Sequence, residues 1–384
     1  MRIALVHDWL TSMRGGEKVL SLLCRLMPQA DVLTLLHVPG SCDRYIERMA
    51  IRTSGLNDWP AIGRTYRHLL PLMPLAIEQL DATGYDLIVS SSHCVAKGVI
   101  RAPEALHVCY CHTPMRYVWA QTSAYDRTLG PSGWALRALR PYLRAWDRRS
   151  AGHVDCFIAN SRNVARRIAR CYNRSAHVIC PPIDTEFFTP AASDREAFYL
   201  MVTALAPYKR VEQAIDAFAR LGRKLVIIGT GQLLAKLRQA APPNITFMGW
   251  VDDEQVRDAY RRCRALVFPG EEDFGMTPLE AMACGCPVIA YGAGGALETV
   301  VDIDSPRDGA EATGVLYQPQ TVDGLIAAVE RFERRCERLQ PKDAVQWAGR
   351  FSMERFAERF KRLLDELLAE RGMTLRWSDS FDRR

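Results

Sequence analysis

The chain runs to 384 residues, 48% of them apolar and 24% charged, with a formal net charge of +6. That length exceeds one ordinary domain and divides most naturally into two, and the composition is that of a soluble globular protein. No apolar run approaches the ~18 residues needed to span a bilayer.

The positive excess sits in one half. Residues 1–190 hold 23 Lys+Arg against 15 Asp+Glu, and the remainder 27 against 29. The first domain alone is therefore expected to favour an anionic surface. Met1-Arg2-Ile3-Ala4-Leu5-Val6 enters a strand pattern at once, so no secretory leader is expected and the location is expected to be cytoplasmic. Twelve cysteines are scattered, and the close pairs Cys109-x-Cys111 and Cys284-x-Cys286 lack the spacing of a zinc site. They read as reduced core thiols.

In chain order, residues 3–7 form a strand pattern, Arg14-Gly15-Gly16 a turn, and residues 17–26 a helix. Strands follow at 32–36, 87–90, 106–111 and 156–159; Asn160-Ser161 caps a helix through Arg170, and 178–180 is a short strand ended by Pro181-Pro182. The proline-rich stretch 181–192 reads as the linker. The second half repeats the logic: strands at 198–203, 224–228, 245–248, 265–268 and 288–290 alternate with helices at 211–220, up to 240, 254–263 and 278–283. Such βα alternation implies parallel sheets covered by helices on both faces. Helical patterns at 322–339 and 352–371 complete the chain.

The most informative stretch is 268–290, FPGEEDFGMTPLEAMACGCPVIA. Glu272 and Glu280 lie eight residues apart around Phe274-Gly275-Met276-Thr277-Pro278. Thr277 reads as a helix N-cap with Pro278 at the first helical position. Gly275 lets backbone approach a ligand, and the helix start offers amides and a positive dipole end to a phosphate. The same letters also spell a capping box, Thr277-x-x-Glu280, in which Glu280 merely satisfies the helix start. Thr203-Ala204-Leu205-Ala206-Pro207-Tyr208-Lys209-Arg210 follows a strand and aims Lys209 at the edge where parallel sheets bind ligands; a solvated surface pair is the alternative.

These segments resemble, in order and over nearly the whole chain, the retaining glycosyltransferases of family 4. The resemblance implies the GT-B fold: an α/β architecture of two Rossmann-like domains with parallel sheets facing across a cleft. The implied division is residues 1–185 for the acceptor, 186–350 for the nucleotide sugar, and 351–384 as a helix and tail returning to the first domain. By the same resemblance Glu272 faces the donor sugar, Glu280 binds ribose, the amides around Phe274, Gly275, Met276 and Thr277 approach the distal phosphate, and Lys209 neutralises the leaving diphosphate. The family has an arginine where this chain has Ala204, and Arg210 is the candidate substitute. Phe247-Met248-Gly249-Trp250-Val251 resembles the segment beside the nucleobase, which nominates Trp250 and Val251. Gly292-Ala293-Gly294-Gly295 resembles a loop at the cleft floor, and tight packing explains it equally well.

In the first half, Arg14-Gly15-Gly16-Glu17 departs from the dinucleotide fingerprint; the family uses this turn, here Gly15 and Gly16, to approach donor and acceptor. Cys111-His112-Thr113-Pro114-Met115-Arg116-Tyr117 resembles GDP-mannose-dependent α-mannosyltransferases of bacterial polysaccharide assembly, and makes His112 a positioning and charge-stabilising residue beside the transferred sugar. The implied reaction is hexose transfer with retention, best matched by mannose from GDP-mannose, to a lipid-linked saccharide or oligosaccharide, without a metal or other cofactor. A UDP-sugar donor, a non-hydrolysing sugar-nucleotide epimerase and a non-catalytic sugar-nucleotide or lipid-binding module are the alternatives. Asp302-Ile303-Asp304 imitates a metal motif but reads as a solvated acidic turn. Residues 133–149 mix arginines with tryptophans and leucines, interrupted or kinked by Pro141. They suit an anionic membrane surface or an ordinary amphipathic helix. A nucleic-acid partner is not expected.

Overall fold

A computed structural model describes residues 1–119, 131–192, 194–306 and 309–378. It separates into two compact units, one of residues 1–181 with 356–384, the other of residues 182–355.

The first unit is built on strands β1 (Ile3–His7), β2 (Asp31–Thr34), β3 (Ala50–Thr53), β4 (Leu87–Ser92), β5 (Leu106–Cys111), β6 (Cys156–Ala159) and β7 (His177–Val178). They pair in parallel in the order β3-β2-β1-β4-β5-β6-β7. Every residue of β1, β4, β5 and β6 is buried, as expected where helices cover both faces of a parallel sheet. Helix α1 (Gly15–Leu26) follows β1. Helix α2 (Pro131–Ala151) is continuous through Pro141, so the expected interruption is absent. Helix α3 (Arg162–Tyr172) begins where the Ser161 hydroxyl accepts the Val164 amide, 3.0 Å away.

The second unit has strands β8 (Phe198–Val202), β9 (Lys224–Ile228), β10 (Ile245–Gly249), β11 (Ala265–Phe268), β12 (Val288–Tyr291) and β13 (Gly314–Tyr317). All pair in parallel, in the order β10-β9-β8-β11-β12-β13. In both sheets the chain runs outward through three strands and then returns to the other side of the first, which makes the edge beside that first strand the switch point at which open α/β sheets bind ligands beyond the strands' carboxyl ends. Helices α4 (Val211–Leu221), α5 (Asp253–Arg262), α6 (Met276–Ala283) and α7 (Val322–Arg335) belong to this unit. The last helix, α8 (Met353–Ala369), carries Phe356 against Tyr110 of β5, with ring centroids 5.7 Å apart. Beyond it Arg371 reaches Asp155 at 3.3 Å, so residues 356–378 are part of the first unit.

All twelve cysteines are free thiols. Among the described residues, no helix is long and apolar enough to cross a membrane. The aromatic-basic mixture of α2 is partly internal: Trp146 is 2% exposed and donates its indole N–H to Glu78 at 2.6 Å. Tyr142 faces out. The side chains of Trp134, Ala135 and Leu136 lie outside the described residues. Asp302-Ile303-Asp304 is an acidic turn, as expected: Asp304 is exposed and pairs with Arg331 and Arg335 of α7, and the half-buried Asp302 accepts the Leu316 amide.

One buried ion pair pins α2 to the first sheet. The Lys97 ammonium and the Asp147 carboxylate, both almost fully buried, bond to each other. The second Asp147 oxygen accepts the Trp119 indole N–H at 2.6 Å and the Tyr172 hydroxyl at 2.8 Å. Removing one charge strands the other, which typically costs ~3–5 kcal/mol, whereas replacing both by apolar residues of similar volume is close to neutral. Asp147→Asn is therefore expected to lower stability by about 3 kcal/mol or more, and Lys97→Met/Asp147→Asn, which removes the stranded charge and keeps an oxygen for Trp119 and Tyr172, to recover most of it, in urea unfolding followed by circular dichroism.

His107 on β5 is fully buried, with its Nε2 2.8 Å from the Ser90 hydroxyl and its Nδ1 unpartnered. Burial pushes its pKa down to about 3. Between there and the ordinary histidine pKa the unfolded chain binds a proton that the native chain refuses, so stability falls as pH falls, by about 1.4 kcal/mol per unit. His107→Gln is expected to flatten the slope of unfolding free energy between pH 6 and 4 relative to the native chain.

Candidate functional site

In the second unit, Lys209 ends a short 3-10 turn after β8, and Glu272 lies in the loop after the neighbouring strand β11. Their side chains form an ion pair at the carboxyl edge of the sheet, 14% and 22% exposed respectively. The ammonium also stands 5.2 Å over the ring of Tyr208. The loops come together because position 270 is glycine. A Cβ there would lie 3.1 Å from Lys209 Cα and 3.2 Å from the Tyr208 carbonyl oxygen.

Helix α6 begins one turn after Glu272, but not as its letters suggest. Gly275 holds the N-cap position, at φ +99°, and no side chain caps the helix. Thr277 is inside the first turn, so the anticipated capping box does not form. A left-handed glycine aims the first turn's N–H groups outward instead. The amides of Met276 and Thr277 have no acceptor among the described residues. They form, with the helix dipole, a ready site for an anion. Glu280, one turn on, is 8% exposed and lies 3.3 Å from the hydroxyl of Tyr260 on α5.

The Gly292-Ala293-Gly294-Gly295 loop is packing, as one of its two readings allowed. The Gly295 amide donates to the Glu272 carbonyl at 2.8 Å. A Cβ on Gly294 or Gly295 would collide with the backbone of Glu272 or Phe274. Phe274 is buried, and its ring meets Phe351 edge-on at 5.9 Å. Arg210 is exposed and left-handed, at φ 56°. Trp250 and Val251 follow β10, the strand at the sheet's edge, and Trp250 is 78% exposed.

In the first unit, His112 follows β5 and places its Nε2 2.8 Å from the Ser91 hydroxyl. Burial, and then the charges of His93 and His7, hold its pKa well below the ordinary value. That environment disfavours the imidazolium form of His112. Gly16 lies against it: a Cβ at Gly16 would be 3.4 Å from His7 Cε1 and 3.6 Å from His112 Nε2. The amides of Gly15 and Gly16 have no acceptor among the described residues. Glu17 accepts the Arg14 amide at 3.1 Å and approaches His7 at 3.8 Å. His7, Asp8, Glu17 and His93 surround this edge and were not singled out from sequence, although each stands at or just after the end of a predicted strand or at a helix start.

Two family models match the chain: Glycosyltransferase Family 4 over residues 13–187 and Glycosyl transferases group 1 over residues 182–340. The human alpha-1,3/1,6-mannosyltransferase is 24% identical, covering 92% of this chain and 94% of that protein. Its Kluyveromyces lactis counterpart is 26% identical, covering 79% and 69%. A GDP-mannose-dependent alpha-mannosyltransferase of Mycolicibacterium smegmatis is 33% identical over a shorter match, 41% of this chain and 44% of that one. Among solved structures, sucrose-phosphate synthase of Thermosynechococcus elongatus superposes with a TM-score of 0.71 at 19% identity, covering 96% of this chain and all of that one. The Anabaena protein HepE in complex with UDP-glucose gives 0.69 at 17%, covering 95% and 100%. With both matched segments carrying the expected strand–loop–helix geometry, the chain belongs to glycosyltransferase family 4 and is a hexosyltransferase of the GT-B fold.

Proposed function

We propose that this enzyme transfers mannose from GDP-mannose, with retention, to a lipid-linked saccharide in polysaccharide assembly. The observation that carries the reading is the Lys209–Glu272 pair beside the unsatisfied amides of α6. A diphosphate docking on those amides competes for Lys209 and releases Glu272 to accept hydrogen bonds from sugar hydroxyls. As the bond from the sugar's anomeric carbon to the phosphate oxygen breaks, charge grows on that oxygen, where an ammonium and a helix dipole are already fixed. The acceptor oxygen attacks from the departing side, and its proton passes to the leaving phosphate, so no enzymic nucleophile is needed. Lys209 and the helix start supply the positive charge that a divalent cation supplies in other designs, and Asp302 and Asp304 are engaged by α7 arginines and the Leu316 amide.

The choice of mannose and of guanine rests on His112-Thr113-Pro114-Met115-Arg116-Tyr117 and on the mannosyltransferase relatives. The UDP-glucose bound by HepE makes a UDP-sugar the second reading. The excess of arginine in the first half, with Arg137, Arg148 and Arg149 exposed on α2, supports attachment to an anionic membrane surface on the cytoplasmic side.

Lys209→Ala and Glu272→Ala are each expected to lower kcat by about two orders of magnitude, as removal of one charge-stabilising group does elsewhere. Transfer of radiolabelled mannose checks this, with circular dichroism confirming the fold; near-normal turnover in both variants sinks the site. A thermal-shift panel of GDP-mannose, UDP-glucose and ADP-glucose is expected to show the largest rise in Tm with GDP-mannose, because a ligand stabilises the state it binds. A rise confined to UDP-glucose would reassign the donor.

A further inference from the structure

His112 and His93 of the first unit have different partners. His112 is bonded to a neutral serine hydroxyl, whereas His93, just beyond β4, has its Nδ1 3.0 Å from Asp8 Oδ2. Asp8 follows β1 and is fully buried, yet it remains an anion because four backbone amides converge on it. His93 and Cys94 donate to one oxygen at 2.7 and 3.0 Å, and Val95 and Ala96 to the other at 2.5 and 2.7 Å. These bonds and the coulombic attraction of His93 outweigh burial and hold the carboxyl far below its usual range. Its geometry fixes the imidazole: Nδ1 keeps its hydrogen for Asp8, and Nε2 is turned away from it. The His93 side chain is 27% exposed, and its Nε2 has no hydrogen-bond partner among the described residues. Its ring stands edge-on to Trp9 at 4.6 Å and lies 6.0 and 6.4 Å from the rings of His7 and His112. Those two rings flank Gly16, whose amide, like that of Gly15, lacks an acceptor.

We propose that His93, held by Asp8 as an imidazolium, donates its Nε2–H to a phosphoryl oxygen of a bound substrate and positions that substrate at the carboxyl edge of the first sheet. The inference rests on the glycosyl-transfer reading above. Five groups act on the ring. Asp8 and, more weakly, Glu17 favour its protonated form; His7, His112 and Arg116 bear on it from the other side. Against burial, the carboxylates win, and the His93 pKa is raised. Asp8 is enclosed by amides and Glu17 is spent on the Arg14 amide, so neither faces an incoming anion as a bare charge. The phosphoryl group belongs either to the nucleotide diphosphate or to a phosphate-linked acceptor, and both present the same oxygen.

The test measures affinity for GDP, and separately for an alkyl-diphosphate-linked saccharide, from pH 6 to 9 in the full-length native chain, His93→Gln and His93→Lys. His93→Gln is expected to weaken one of the two ligands by about tenfold at pH 6.5, the scale of a lost hydrogen bond to a charged group. The loss should shrink as pH rises and the native imidazolium deprotonates. His93→Lys should restore binding and carry it to higher pH, which a merely structural role for the ring would not do. The ligand affected identifies which substrate bears the phosphate. In the native chain, the same ligand should raise the His93 pKa followed by side-chain NMR, an arm that stands even if the variants fail to fold. Equal affinities of all three proteins at every pH, with a His93 titration blind to both ligands, overturn the proposal. Absence of any binding or transfer by the native chain would instead overturn the glycosyl-transfer reading.

Discussion

The Lys209–Glu272 ion pair exists because two loops after adjacent parallel strands approach more closely than side chains ordinarily permit. Gly270 accepts the backbone of Tyr208 and Lys209 against itself, and Gly294 and Gly295 accept the backbone of Glu272 and Phe274. The carboxylate and the ammonium are therefore set by main-chain contacts, not by long flexible stems. That is what a charge-stabilising site requires, since groups already in place need not reorganise as the leaving phosphate develops charge. The pair also keeps each partner compensated until a ligand arrives, so an ammonium held largely out of water is not stranded in the empty enzyme.

The two sheets use the same topological edge with different chemistry. In the second unit, cationic character comes from one lysine and from a helix start left open by Gly275. In the first, a buried carboxylate gathers four amides and one imidazole, and so moves the polar work outward from Asp8 to His93. Both arrangements follow from strands that are buried over their length and turn polar toward their carboxyl ends. Residues 3–7 are wholly buried, and the first acidic residue follows at once as Asp8.

That change of character explains what the sequence revealed and what it hid. Central strands such as Ile3–His7, Leu106–Cys111 and Ala265–Phe268 are short apolar runs bounded by turns, and their periodicity and position marked them. The edge strands Ala50–Thr53 and Gly314–Tyr317 escaped. The first alternates exposed with half-buried residues and carries Arg52. The second is four residues long and follows a long polar loop. Thr277-Pro278 looked like a helix start because capping letters say nothing of the residue before them, and a glycine able to adopt φ +99° began the helix earlier. Pro141 sits inside α2 without ending it, because Leu143, Trp146 and Asp147 bury the following turns. His93 and Asp8 were invisible for another reason. They are 85 residues apart, and only the adjacency of β1 and β4 makes them a pair.

The absent arginine at Ala204 draws attention to Arg210, but its backbone matters more than its charge. Arg210 is left-handed, at φ 56° and ψ 35°, and closes the 3-10 turn while opening α4. That conformation costs a non-glycine residue about 1 kcal/mol or more and persists only where the surroundings impose it. Here the two neighbours impose it. Val211 is 1% exposed and must enter the core of the second unit, whereas Lys209 must reach Glu272 at the sheet's edge. The guanidinium itself lies near β13, where its charge acts on the Tyr317 hydroxyl, which burial pushes up. The left-handed residue at position 210 thus stands between the helix that enters the core and the lysine that meets Glu272 at the sheet's edge.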